Sequence, residues 1–116
     1  MAINMLFKRH LLEKILSGEK TQTRRISKRK YKIGKEYRLR KDWYHYYDHR
    51  IKIIDRREER LGDITEEDAV REGFNSVKDF KKAWKNINGN WNPDIIVLVY
   101  DFELILSETD KMPTGI

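Results

Sequence analysis

Between residues 8 and 17 the apolar positions are Leu11, Leu12, Ile15 and Leu16, the spacing of one helical face, with Lys8, Arg9, Glu13 and Lys14 opposite them. This pattern predicts a helix from about Lys8 to Ser17, preceded by a short strand over Ile3 to Phe7. Gly18 stops the helix by supplying a left-handed cap. Thr21 to Ile26 then reads as a strand, and period-two alternation puts Thr23 and Arg25 on one face and Gln22 and Arg24 on the other. Tyr31 to Ile33 and Glu36 to Arg40 are predicted strand ends on either side of a turn at Gly34. Arg50 to Ile54 alternates apolar and basic, and Asp55 to Arg60 extends the same strand at an edge. Thr65 with Asp68, and Ser76 with Asp79, have the spacing of two helix N-caps. The helices they open end at Gly73 and Gly89, the second with Val77, Phe80, Trp84 and Ile87 on its apolar face. Ile95 to Ile105 is a long strand with Leu98, Tyr100, Phe102 and Leu104 on one side.

Several short strands mixed with helices, without regular βαβ alternation, predict an α+β fold. The chain reads as one domain over 1–106 followed by a polar tail over 107–116 that carries Pro113 and Gly115. Its 116 residues suffice for one core. With no cysteine there is neither a disulfide framework nor a thiolate metal site, and no apolar run approaches the roughly 20 residues that span a bilayer. These features lead us to expect a cytoplasmic monomer without a membrane segment, metal or cofactor.

Charge changes the picture more than composition does. Net charge is +6, but residues 8–42 hold fourteen Lys and Arg against four Asp and Glu, while residues 55–79 hold nine acidic residues against five basic ones. Such asymmetry in a small domain makes a positive face that attracts a polyanion; the plainer alternative is two solvated charged surfaces. Lys28, Arg29 and Lys30 form a polar loop suited to phosphate contacts, with Arg24, Arg25 and Arg40 nearby in sequence. Trp43, Tyr44, Tyr46 and Tyr47 follow. They form either a hairpin packed across its strands or a platform on which unpaired bases stack. His45 and His49 lie four apart without a third ligand, which argues against a metal.

The densest chemistry lies in Gly18-Glu19-Lys20-Thr21-Gln22-Thr23-Arg24-Arg25. Its pattern Gly-x-Lys-x-x-Thr-x-Arg resembles the signature of the ASCH domain. Tyr31 to Tyr37 resembles that family's glycine turn, Leu61 to Phe74 its acidic helix ending in Glu-Gly-Phe, and Val99 to Phe102 its closing strand. The resemblance spans roughly residues 3 to 105. It implies a PUA-like β-barrel, or pseudo-barrel, with helices packed on the outside, and an association with RNA. Some small family members are amidohydrolases that remove the acetyl group of N4-acetylcytidine with a lysine, a threonine and a glutamate; others are described as ribonucleases or RNA binders. The catalytic residues map onto Lys20, Thr23 and Glu72.

Two readings follow. In one, the protein binds single-stranded RNA or a modified nucleotide in a pocket lined by the motif. In the other, Lys20, Thr23 and Glu72 hydrolyse an acylated cytidine, with Lys20 acting as base only if burial or a neighbouring cation lowers its pKa. A structural ion pair between Lys20 and Glu72 is the alternative role for those two residues.

Overall fold

The computed structural model describes residues 4–26, 29–40 and 46–106, with Asn4, Tyr46, Tyr47 and Asp48 described by backbone alone. In chain order these residues form β1 (Asn4–Leu6), α1 (Arg9–Leu16), β2 (Gln22–Arg25), β3 (Glu36–Arg40), β4 (Tyr46–Arg60), a 3-10 turn (Leu61–Asp63), α2 (Glu66–Arg71), α3 (Val77–Asn88) and β5 (Ile96–Ile105). Local chemistry sets the helix ends. Thr65 Oγ1 accepts the Asp68 N–H at 3.1 Å and Ser76 Oγ accepts the Asp79 N–H at 3.1 Å, each satisfying a donor that the first helical turn leaves unpaired. Gly89 closes α3 at φ 87°, a backbone angle that only glycine adopts without strain. The predicted tail over 107–116 lies outside the described residues.

The five strands make one sheet in the order β1-β3-β4-β5-β2, parallel between β1 and β3 and antiparallel elsewhere. The segment over Tyr31 to Ile33, predicted as a strand end, is irregular instead; Tyr31 N–H donates to the Tyr100 hydroxyl rather than to a ladder. The architecture is PUA-like and α+β, but the sheet does not close. β1 and β2 are its two edges, and what joins them is a side chain: Arg25 Nη2 donates to the Leu6 carbonyl at 2.8 Å.

Each face of the sheet has its own core. Against one face, Leu11, Leu12 and Ile15 of α1 pack on Met5, Tyr37, Leu39, Ile51, Ile53, Tyr100 and Phe102. Against the other, Ala69 of α2 and Phe80 and Trp84 of α3 pack on Val97 and Val99. β5 therefore serves both cores, which is why it reads as nearly continuous apolar sequence rather than a clean alternation. Ile87, predicted within the apolar face of α3, is instead 44% exposed. The register of β4 against β5 slips between Ile53 and Asp55, a bulge that turns the C-terminal half of β4 over. Beyond it Arg57 lies opposite Val99 and Glu59 opposite Val97, so both face the second core.

Candidate functional site

α1 ends where Gly18 adopts φ 84°, and the chain turns there into β2 with Lys20 carried inward. α2 ends at Arg71, and Gly73 at φ 97° turns the chain so that Glu72 meets Lys20. The two helix stops thus bring together residues 52 positions apart. Lys20 Nζ donates to Glu72 Oε1 at 2.8 Å, to the Glu72 carbonyl at 3.0 Å and to the Gln22 carbonyl at 2.8 Å. All three ammonium protons have acceptors. Lys20 is 2% exposed and Glu72 3%.

Alternation along β2 is as expected from the sequence, and its two faces do different work. On one, Arg24 is wholly internal. Its Nη1 bonds Glu72 Oε2 at 3.0 Å and the Gln22 amide oxygen; its Nη2 bonds Glu59 Oε1 at 2.8 Å and Asp68 Oδ2 at 3.1 Å. Arg57 extends this network to Asp68 at 3.2 Å and Asp101 at 3.1 Å. On the other face, the Thr23 hydroxyl accepts from Arg25 Nε at 3.4 Å, a long bond, and the Arg25 guanidinium lies over the Phe7 ring at 4.5 Å.

Electrostatics follow from this arrangement. Burial pulls the Lys20 amine below its ordinary pKa; the Glu72 carboxylate opposes that, and the Arg25 and Arg24 charges add to the lowering. Burial also works against the charge on Arg24, but Glu59 and Glu72 outweigh it and hold the guanidinium firmly protonated. For Asp68, burial favours the neutral acid, yet the bond from Arg71 and the charge of Arg24 prevail and keep its pKa below the usual 3.8.

A carboxyl depressed in the folded state contributes stability that is complete above its unfolded pKa and is lost as pH falls through the folded value. Asp68→Asn should therefore be less stable than the parent at pH 7. The gap should narrow as pH drops below 3.8, as read by urea denaturation at a series of pH values. A gap that stays constant across that range would contradict this assignment.

These residues border one pocket of about 320 Å³, near the lower end of the roughly 300–1,000 Å³ usual for small-molecule sites. It opens at the gap between the sheet edges. Lys20, Thr23, Arg24, Arg25 and Glu72 line it from β2 and α2, Phe7 and Leu11 from the α1 side, and Phe80, Trp84 and Ile87 from α3. The three residues predicted as catalytic thus share a cavity. Arg24, predicted as a nucleic-acid contact, is committed to carboxylates inside the protein, because its face of β2 is roofed by α2 and α3. Arg25 is half-buried at the pocket, Arg29 and Lys30 are exposed, and Arg40 is half-buried opposite Tyr46. Lys28, Trp43 and Tyr44 lie outside the described residues, as do the Tyr46 and Tyr47 side chains. Glu59, Arg57 and Asp101 support the site without having been singled out from the sequence, and Asp68, read there only as a helix-capping position, joins them. Among the described residues no group of three or more His, Asp or Glu is placed to hold a metal, and no helix is long and apolar enough to cross a membrane.

The fold can be set beside known structures. A crystal structure of an ASCH domain from Lactobacillus crispatus superposes with a TM-score of 0.70 at 17% identity, covering 82% of this chain and 70% of that one. A protein from Enterococcus faecalis superposes with a TM-score of 0.64 at 16% identity, covering 94% of this chain and 76% of that one. No curated protein matches in sequence. The ASCH domain family profile matches residues 4–106, and those residues contain the helix stops, the motif strand and Glu72. The chain belongs to the ASCH domain family.

Proposed function

We propose that this ASCH domain binds a single nucleobase, either of a free nucleoside or at an unpaired position of an RNA strand, in the pocket between the sheet edges. One observation carries the reading: Lys20, Thr23, Arg25 and Glu72 share a cavity with an apolar wall of Phe7, Phe80 and Trp84, and the cavity is sized for one base rather than for a polymer. The exposed Arg29 and Lys30 and the +6 net charge support a phosphate-bearing ligand outside the pocket. Calorimetric titration with cytidine should show saturable one-site binding that responds little to salt. Short single-stranded RNA should bind more tightly, with log affinity falling against log salt by about 0.7 per phosphate neutralised. No binding of either at low salt would reject the reading.

Hydrolysis of N4-acetylcytidine is a second reading, favoured by the position of Thr23 beside Arg25 and by the lowered pKa of Lys20 next to Glu72. Water would attack the acetyl carbon and release acetate, or the Thr23 hydroxyl would attack it and form an acetyl ester that water then cleaves to acetate; in the step that breaks the amide bond, Glu72 or Lys20 would accept the nucleophile's proton and pass it to the departing cytosine amine. In the resting arrangement the Lys20 ammonium donates three bonds, so a base role for the amine requires its proton to move first to Glu72. Loss of the acetyl group, followed by chromatography, tests this. Thr23→Ala should lower turnover by at least about a hundredfold; turnover unchanged by that substitution would remove Thr23 from the chemistry.

A further inference from the structure

Arg24 lines the pocket, yet its side chain is 0% exposed while the residue as a whole keeps 5%. What Arg24 leaves exposed is therefore its backbone. The phase of the ladder fixes where that backbone points. The Phe102 N–H donates to the Thr21 carbonyl at 3.0 Å, and the register then runs from Gln22 opposite Asp101 to Arg25 opposite Leu98. Bonded and non-bonded positions alternate in an antiparallel pair, so Thr23 and Arg25 exchange bonds with β5, while Gln22 and Arg24 turn their N–H and C=O towards the open edge. The Gln22 carbonyl agrees with this phase, since Lys20 Nζ takes it at 2.8 Å. The next outward pair, roughly 7 Å further along the edge, belongs to Arg24. β2 has no strand on that side among the described residues.

A peptide donor and acceptor held in a pocket with apolar walls are costly to leave without partners. We infer that the Arg24 N–H and C=O read the donor–acceptor edge of an unpaired nucleobase, which takes the place of the missing neighbouring strand; this rests on the nucleobase reading above. A strand residue presents its N–H and C=O side by side on one edge. Cytosine offers a matching pair, the N3 acceptor beside the N4 donor, and every other base offers an acceptor next to a donor on its pairing edge. Leu6, Ile26 and Ile87, all exposed at the pocket mouth, suit the faces of a flat ring. A base already paired in a duplex has this edge occupied, so the site takes only unpaired bases. The reader is main chain, and so no side-chain signature in the sequence announces it.

Amide hydrogen exchange of the isotopically labelled full chain, with cytidine as probe, tests the inference. In the free protein the Arg24 amide should exchange at least about tenfold faster than those of Thr23 and Arg25, which are bonded to β5. Saturating cytidine should slow Arg24 by about tenfold or more and leave its neighbours unchanged. 3-Deazacytidine, which has a C–H where cytidine has the N3 acceptor, should bind about tenfold more weakly and leave Arg24 unprotected. Calorimetric binding of cytidine with Arg24 exchange unchanged would overturn the inference and leave the nucleobase pocket standing. Absence of cytidine binding would overturn the inference, and absence of binding by short single-stranded RNA as well would overturn both. An Arg24 amide already as slow as its neighbours in the free protein would overturn the inference before any ligand is added.

Discussion

Replacing Glu72 with glutamine should destabilise the fold by about 3–5 kcal/mol, because it leaves two buried cations without the carboxylate they share. In a domain of this size that lowers the melting temperature by about 10–20 °C, measurable by circular dichroism. Lys20 holds Glu72 Oε1 and Arg24 holds Oε2, and both cations are sealed from water. Glutamine keeps the shape, but it offers one oxygen and no charge. The Arg24 guanidinium would retain Glu59 and Asp68, whereas Lys20 would keep only two backbone carbonyls. Lys20 should therefore suffer more. Lys20→Met alone is expected to be costly for the mirror reason, leaving Glu72 half-partnered. The double substitution Lys20→Met with Glu72→Gln should cost less than the sum of the singles by about 1–3 kcal/mol. Strict additivity would mean that the two do not act as a pair.

The second large effect is expected at Phe80. Phe80→Ala should cost about 3–5 kcal/mol, the usual range for deleting a fully buried aromatic ring. The ring meets Phe74 at 5.8 Å, Trp84 at 5.9 Å and Trp91 at 6.2 Å between centroids, and the Arg24 guanidinium sits 6.0 Å from its centre. It fastens α3 to the sheet and also forms part of the pocket wall, so the variant should lose nucleoside affinity as well as stability. Ile87→Ala, on the same helix but exposed at the pocket mouth, should cost less than about 1 kcal/mol. Urea denaturation of the two variants provides the comparison. Equal costs would show that α3 is not held through Phe80.

What was legible in the sequence was local. Thr65, Ser76 and Gly89 act within four residues of where they sit, so the bounds of α2 and α3 could be read directly. Lys20, Thr23 and Glu72 were found because a motif marks them, and alternation placed Thr23 with Arg25 correctly. The ion network was not legible, for a definite reason. Ile51 and Ile53 face the first core, and unbroken alternation would send Arg57 and Glu59 to the same face. The bulge between Ile53 and Asp55 reverses that parity and delivers both to Arg24 and Asp68. A one-residue slip leaves no trace in a run of charged residues. The burial of the Arg24 side chain was hidden for a related reason: it shows only once the helices that roof that face of β2 are in place and Glu59, Asp68 and Glu72 meet the guanidinium. The family resemblance implied a barrel or pseudo-barrel, whereas the sheet here stays open and its β2 edge borders the pocket.

Among the described residues the only strand that β2 pairs with is β5, which lies far along the sequence: Gln22 bonds Asp101, 79 residues away. Contacts of such separation form late, because a long loop must close before any bond repays it. During synthesis, which proceeds from the N-terminus at about 5–20 residues per second, the motif emerges ahead of β5 and waits several seconds for the strand that will hold it. Throughout that interval Lys20 and Arg24 are hydrated cations on an unpaired segment, able to meet any polyanion nearby. Their removal from water is thus among the last events of folding, and a nascent chain that stops short of β5 carries every residue of the motif with nothing to assemble it against.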